Sequence, residues 1–207
     1  MSTQNTAAQF TEQVLATDLD GTLIPLNQDP HNQSDLRVLS EQFQARGNSL
    51  IFVTGRHFES VSQAIKDFQL PIPEWIICDV GTSIFQRQES GEFTLVTAYQ
   101  DYQDQIIAAM PIDSLREKLQ TIDGLRLQEP VKQGRFKLSF YADAAQLETL
   151  VDHVQEVLTQ TDAPYSIINS VDPFNGDGLI DLLPATVSKA LALEWWTEKN
   201  GYDPANI

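Results

Sequence analysis

The sequence predicts an α/β fold: a parallel sheet with helices on both faces, an inserted α+β segment, and a last helix that returns to the sheet. Three short apolar runs within the first 80 residues alternate with stretches of helical periodicity, whereas later runs alternate between apolar and polar side chains. Continuous apolar runs are typical of parallel strands that are buried on both faces. Alternating runs are typical of a sheet with one open face.

The elements of the first part follow in the order strand, helix, strand, helix, strand. The apolar runs predict buried strands at residues 14–17, 49–53 and 75–78. Apolar residues at helical spacing predict amphipathic helices over residues 35–45 and 58–68, and Gly47 closes the first of them. We therefore predict that residues 1–81 form the first part of a core domain.

The middle of the chain, residues 82–184, predicts a separate α+β domain that is inserted into the core. Its pattern predicts helices over residues 113–121 and 144–159, and strands near residues 125–128, 137–141, 165–168 and 179–183. Residues 185–207 return to the core, because Ser188 can cap a helix that ends near Asn200. The predicted inward face of this helix consists of Ala190, Leu191, Leu193 and Trp196.

The charge of the chain excludes several classes of partner. The 13 basic and 29 acidic side chains give a net charge of -16, which repels nucleic acid. No apolar run is long enough to cross a bilayer, so we expect no membrane partner. One cysteine allows no internal disulfide and the polar N-terminal segment has no signal-peptide core, so we expect a cytoplasmic protein. No feature of the sequence indicates an oligomeric state.

Two carboxylates, Asp18 and Asp20, follow the first predicted strand in the segment DLDGTL. Ligands of open parallel sheets bind at the carboxyl ends of the strands. There one carboxylate can attack phosphorus, while the other protonates the leaving alcohol and later deprotonates water. Because the phosphoryl group is anionic, we predict that Mg²⁺ binds Asp18 and Asp20. A solvated Asp-Gly turn is the plain alternative, whereas an EF-hand fails because Gly21 is the fourth loop residue and not the sixth.

Two further segments carry groups that suit phosphate. Thr54, Gly55 and Arg56 end the second predicted strand, where a hydroxyl and backbone N–H groups can hold phosphate oxygens. Lys189 begins the last helix, and its ammonium can offset the gathered negative charge. Each alone has an ordinary explanation, a capped turn and a solvated lysine, but in combination with the aspartates they indicate one site. The predicted catalytic residues are Asp18, Asp20, Thr54 and Lys189.

Three segments resemble, in order, the first three motifs of the haloacid dehalogenase superfamily: DLDGTL at Asp18, VTGR at Val53 and SKALALEWW at Ser188. The segments ICDVGTSI, GRFKLSFYAD and GLIDLLPATVSKALAL look like the sucrose-phosphate phosphatase branch. The resemblance implies a Rossmann-like core, a C2-type cap in the inserted segment, and magnesium-dependent hydrolysis of a small phosphorylated sugar. For the cap we predict Gln133, Arg135 and Lys137 as substrate contacts beside Gly55 and Arg56, because a phosphorylated sugar attracts polar and cationic side chains.

The chain departs from the family's pattern in two places. Relatives carry a fourth strand that ends in an acidic Gly-Asp-like motif, and the sequence stops at Ile207, where that strand would begin. We therefore expect feeble turnover and an exposed sheet edge. Relatives tend to carry a glutamate at the start of the cap, where this chain has Ser83. That position lacks a carboxylate that could accept sugar hydroxyls.

Three other functions fit parts of this pattern. A phosphomannomutase-like transferase would use the same aspartate pair to pass phosphate to a sugar. A signalling receiver domain also gathers aspartates, a hydroxyl and a lysine, but its phosphoacceptor ends the third strand and it carries no cap. A noncatalytic fragment that binds sugar phosphate weakly is the third alternative.

Overall fold

The computed structural model describes residues 13–27, 30–172 and 175–207, and two sheets organise them. The first sheet has five strands in chain order: β1 (Val14–Thr17), β2 (Ser49–Val53), β3 (Trp75–Cys78), β4 (Ser83–Arg87) and β5 (Phe93–Leu95). β1, β2 and β3 are parallel, and β4 and β5 add an antiparallel hairpin at one edge. The predicted parallel sheet is confirmed, with its three strands at the predicted bounds.

Helices cover both faces of this first sheet. Its helices are α1 (Asn32–Arg46), α2 (Phe58–Asp67), α3 (Thr97–Ile106) and α6 (Lys189–Asn200). Phe52 packs with apolar side chains of α1 and α2, whereas its neighbours Ile51 and Val53 pack with Tyr99 of α3 and Trp196 of α6. Successive side chains of a strand point to opposite faces, so the continuous apolar run of β2 packs against the helices on both faces of the sheet.

Residues 83–95 belong to the first sheet, although the sequence pattern assigned them to the inserted domain. The hairpin turns at Gly91, which adopts a left-handed conformation (φ +87°). Its strands are short and half exposed, because they form an edge of the sheet that only partly contacts the helices. The core sheet therefore extends about 14 residues beyond the predicted boundary at residue 82.

The second sheet belongs to the cap. Its strands are β6 (Arg126–Leu127), β7 (Leu138–Ala142), β8 (Tyr165–Val171) and β9 (Gly178–Pro184), antiparallel in the order β6-β7-β9-β8. Leu138 and Phe140 pack under the helices α4 (Ile112–Leu119) and α5 (Leu147–Gln160). Ser139 lies between them and so faces away from these helices. The predicted α+β cap is confirmed, and its polar sheet face is the face that meets the core.

Helix α6 begins where the sequence predicts, because the Ser188 hydroxyl accepts a hydrogen bond from the Leu191 N–H at 3.2 Å. The predicted inward position of Leu191 is wrong, since this residue is 42% exposed, and Ala190 is exposed as well. The predicted inward position of Trp196 is confirmed, and Ala192 and Thr197 are the other buried residues of the helix. This rotation turns Lys189 toward the end of β1. Within the described ranges, every helix is too short or too polar to span a membrane.

Candidate active site

The loop after β1 presents Asp18 and Asp20 at the carboxyl edge of the core sheet. Leu19, between them, is fully buried, and its carbonyl accepts a hydrogen bond from the Ile24 N–H at 2.8 Å. The Leu19 N–H donates to Asp18 Oδ1 at 2.7 Å. Gly21 permits the turn because its φ is +74°, a value that L-residues rarely adopt. The buried leucine thus fixes a loop that carries one carboxylate on each side of it.

Lys189 contacts Asp18 directly. Its Nζ donates to Asp18 Oδ2 at 2.7 Å, and both side chains are partly exposed. The contact joins the end of the first strand to the first turn of the last helix. An ammonium at this position offsets the charge that an attacking carboxylate and an incoming phosphate would bring together.

Arg56 holds Asp20 with two parallel hydrogen bonds. Nε donates to Oδ2 at 2.8 Å and Nη2 donates to Oδ1 at 2.7 Å, the bidentate geometry in which guanidinium and carboxylate pair best. Hydrogen bonding from Arg56 keeps the pKa of Asp20 below its usual value, despite the opposing effect of burial. The carboxylate is therefore ionised in this arrangement. Asp20 therefore has no proton to donate while Arg56 holds it.

Thr54 is fully buried beneath this pair of charged residues. Its N–H donates to the Ile77 carbonyl at 2.9 Å, and its hydroxyl oxygen accepts the Arg56 N–H at 3.2 Å. The segment from Thr54 to Arg56 therefore turns sharply at the end of β2. This turn leaves Thr54 at the carboxyl edge of the sheet and brings the Arg56 guanidinium to Asp20, as the sequence predicts for neighbouring parallel strands.

The turn after β3 is the feature of the site that sequence reasoning missed. Asp79, Val80 and Gly81 have φ values of 51°, 61° and 101°, so three consecutive residues are left-handed. The Asp79 N–H donates to the Arg56 carbonyl at 2.8 Å, which ties the turn to the end of β2. The one available signal was Gly81, because a conformation of this kind is costly for Asp and Val.

Gly81 also brings helix α6 into place. A Cβ built on Gly81 would lie 2.4 Å from the backbone carbonyl atoms of Ser188 and 2.7 Å from the Lys189 nitrogen. Only a residue without a side chain lets the two backbones approach this closely. The Tyr99 hydroxyl also donates to the Gly81 carbonyl at 2.8 Å. The start of α6, and with it Lys189, is positioned by this contact.

The three predicted cap contacts lie in different surroundings. The side-chain amide of Gln133 makes three hydrogen bonds to the backbone of Gln128 and Ser139, which hold the loop before β7. Arg135 is 60% exposed in its side chain and pairs with Asp104 at 2.6 Å. Lys137 is buried and reaches the core, where its Nζ donates to Asp79 Oδ1 at 3.0 Å. Of the three, Lys137 lies against the catalytic edge.

The carboxylates at this edge fit part of a magnesium shell. Among the residues with described positions, no three His, Cys, Asp or Glu side chains are grouped closely enough to hold a metal ion. Carboxylates such as those of Asp18 and Asp20 are the oxygen ligands that Mg²⁺ prefers, and Mg²⁺ commonly takes one or two of them and completes its octahedron with water and substrate oxygens. Each Asp18 oxygen accepts one hydrogen bond and retains a lone pair. The donor set suits Mg²⁺, and the remaining ligands must come from elsewhere.

Comparisons with known proteins agree with this geometry. A HAD-like hydrolase of Nitrosococcus oceani is 32% identical over 198 residues, and the match covers 93% of this chain but 52% of that protein. The mannosylfructose-phosphate phosphatase of Agrobacterium fabrum is 27% identical, over 88% of this chain and 68% of that protein. This chain thus spans about half the length of the first of these relatives.

Solved structures identify the same fold. The sucrose-phosphatase of Synechocystis, solved with sucrose and phosphate, superposes with a TM-score of 0.75 at 24% identity. The superposition covers 95% of this chain and 74% of that one. The α/β core with its inserted cap is therefore the fold of HAD-like hydrolases. The family model of sucrose-6F-phosphate phosphohydrolase matches residues 11–207. The chain belongs to the sucrose-6F-phosphate phosphohydrolase family, a branch of the HAD phosphohydrolases.

Proposed function

We propose that this protein hydrolyses the phosphomonoester of a small sugar, with sucrose 6-phosphate or a similar disaccharide phosphate as substrate. The observation that carries the proposal is the pairing of two neighbouring carboxylates with two separate cations, Asp18 with Lys189 and Asp20 with Arg56. The family and one relative support the substrate class, since both names refer to a phosphorylated disaccharide. Membership of the family supports hydrolysis of a sugar phosphate.

The proposed reaction has two steps. Asp18 attacks phosphorus and the bond between phosphorus and the sugar oxygen breaks. Asp20, which takes up a proton from water once Arg56 has left it, gives that proton to the departing sugar oxygen. Water then attacks the aspartyl-phosphate and loses a proton to Asp20, which releases inorganic phosphate, restores the Asp18 carboxylate and returns Asp20 to its protonated form. Lys189 offsets negative charge on Asp18 throughout. Mg²⁺, which we propose is held by Asp18 and Asp20, would neutralise phosphate charge when bound.

Arg56 has a second part in this scheme. In the structure, the Arg56 guanidinium binds both carboxylate oxygens of Asp20. A phosphate group in the cleft offers the guanidinium an alternative bidentate partner. We propose that substrate draws Arg56 toward the phosphate, which frees Asp20 for proton transfer. Arg56 thereby acts as a substrate-binding residue, in line with the sequence analysis, whereas the part of Gly55 stays a prediction.

The test is release of inorganic phosphate from a panel of sugar phosphates that includes sucrose 6-phosphate, with Mg²⁺ and with EDTA. We expect phosphate release that requires Mg²⁺, and a ³²P label that acid quenching traps on the protein and hydroxylamine removes. Asp18→Asn should trap no label. Phosphate release without any protein-bound label would contradict the proposed intermediate. Phosphate found on an added sugar acceptor, and not in solution, would favour the transferase alternative.

A further inference from the structure

A buried ion pair connects the cap to the catalytic edge of the core. Lys137, which immediately precedes β7 of the cap sheet, donates to Asp79 in the turn after β3 at 3.0 Å. Only 6% of the Lys137 side chain and 19% of the Asp79 side chain are exposed. A buried ammonium is costly unless it is paired, so this contact holds the two parts of the molecule in one arrangement.

The surroundings of Lys137 on the cap sheet are also polar. Ser139, two residues further along, is almost fully buried and donates to Asp181 at 2.5 Å across the β7 and β9 pairing. Burial raises the pKa of the Asp181 carboxyl, against the hydrogen bond from Ser139 and the attraction of Lys137. Lys137 therefore has a carboxylate of the core at its tip and a carboxylate of the cap nearby.

Asp79 is anchored to the catalytic residues. Its N–H donates to the Arg56 carbonyl, and the N–H of the next residue, Val80, donates to the Thr54 carbonyl. Asp79 and Val80 adopt left-handed backbone conformations, which are strained for residues other than glycine. Their turn lies between the end of β2 and the start of α6. A carboxylate fixed in this way places whatever it binds at a set distance from Asp18 and Asp20.

We propose that Asp79 is a positioning residue that holds the Lys137 ammonium over the leaving-group side of the catalytic cleft, where it selects a hydroxyl-rich leaving group. An ammonium has three N–H donors, and Asp79 accepts one of them. The others suit sugar hydroxyls, which accept hydrogen bonds from a cation more strongly than from a neutral donor. Asp79 acts through Lys137, and this assignment rests on the proposed function.

The experiment compares sucrose 6-phosphate with acetyl phosphate, which has no sugar, in the full chain and in Lys137→Met, Asp79→Asn and the double variant. We expect each single variant to lower the ratio of kcat/KM for sucrose 6-phosphate to kcat/KM for acetyl phosphate about tenfold or more. The cause should be a higher KM for the sugar phosphate. The double variant should lose no more than the worse single variant, because both act through one contact. Lys132→Met is the matched control, since Lys132 bonds to Tyr141 elsewhere in the cap and should keep the normal ratio.

A ratio that stays unchanged, whether both substrates lose activity equally or neither loses any, would overturn the proposal. Circular dichroism shows which variants fold, and the double variant keeps the test open if a single one does not, because it leaves no unpaired buried charge. Affinities for sucrose 6-phosphate and inorganic phosphate, measured by calorimetry in an Asp18→Asn background, give a second ratio that reports sugar recognition without turnover. A wild-type chain that hydrolyses neither substrate would contradict the proposed function. An affinity ratio that the variants leave unchanged would contradict the role of Asp79.

Discussion

The ammonium of Lys189 donates to Asp18 at 2.7 Å, although 171 positions of the sequence separate the two residues. The whole cap lies between them in the chain. The start of the last helix is held there by the close approach of Gly81 to Ser188. The site therefore depends on the return of the chain to the core as much as on the motif that follows β1.

Asp18→Asn should remove phosphate release and leave the fold intact. An amide cannot act as the attacking oxygen anion, so we expect a rate loss of roughly a thousandfold or more. The measurement is phosphate release together with a thermal unfolding curve. Asp35→Asn, at an exposed acid of α1, is the control and should behave like the wild type. Ordinary turnover by Asp18→Asn would exclude this residue as nucleophile.

Asp20→Asn should slow the reaction most for substrates whose leaving group needs a proton as it departs. A sugar alkoxide needs a proton as it departs, whereas nitrophenolate is stable without one. We expect the defect on a sugar phosphate to exceed the defect on nitrophenyl phosphate by about tenfold or more. The kcat values of wild type and variant on both substrates check this. A uniform loss would mean that Asp20 acts in some way other than proton transfer.

Gly81→Ala should destabilise the protein far more than Gly91→Ala. Both glycines have positive φ, so alanine costs about 1–2 kcal/mol at either position. At Gly81 the new methyl group would also collide with the backbone of Ser188, whereas nothing lies within 4 Å of the methyl at Gly91. We expect a total loss of about 3 kcal/mol or more for Gly81→Ala. Urea unfolding of the two variants measures the difference, and similar losses would contradict the close contact.

Asp181→Asn should gain stability relative to the wild type as pH rises. Burial raises the folded-state pKa of Asp181 above its ordinary value of 3.8, so the folded state holds this proton more tightly than the unfolded state does. The stability that comes from this difference is present at low pH and is lost as pH rises through the folded-state pKa. Asparagine does not titrate and can still accept from Ser139.

Melting temperatures of this variant and the wild type at pH 4 and pH 7.5 test that expectation. The difference, variant minus wild type, should be larger at the higher pH. Asp143→Asn is a useful control, because Asp143 is an exposed acid of the cap whose side chain accepts the Ala145 N–H. A difference for Asp181→Asn that shrank with rising pH would show that this carboxylate favours its ionised form.

The parallel strands could be predicted because their apolar runs are continuous and the end of each is marked by polar residues. The β4 and β5 hairpin could not, since its half-exposed strands carry no such run and it contributes little to the core. Helix α3 was missed for a related reason: its inward face includes the polar Gln103, which is fully buried and donates to the Thr82 carbonyl. A helix whose buried face includes an amide side chain lacks the regular apolar spacing by which helices are predicted from sequence.

The aspartates of DLDGTL were predictable as a site because their chemistry depends on local spacing. The part played by Asp79 was not, because it depends on backbone angles that sequence patterns do not assign to Asp and Val. Lys137 illustrates the same limit. An alternating strand indicates which side chains share a face, but only the packing of cap on core shows that Lys137 meets a carboxylate 58 positions earlier.

The pairing of Lys137 with Asp79 has a consequence for how such proteins diverge. A cap sheet that carries a buried cation is not a self-sufficient unit, because its counter-charge resides in another domain. If recombination placed this cap on a core that lacked an acid after the third strand, it would create an orphan charge at the junction. Lineages should therefore inherit or lose the lysine and the aspartate together, and chimaeras should fold best when the crossover keeps both.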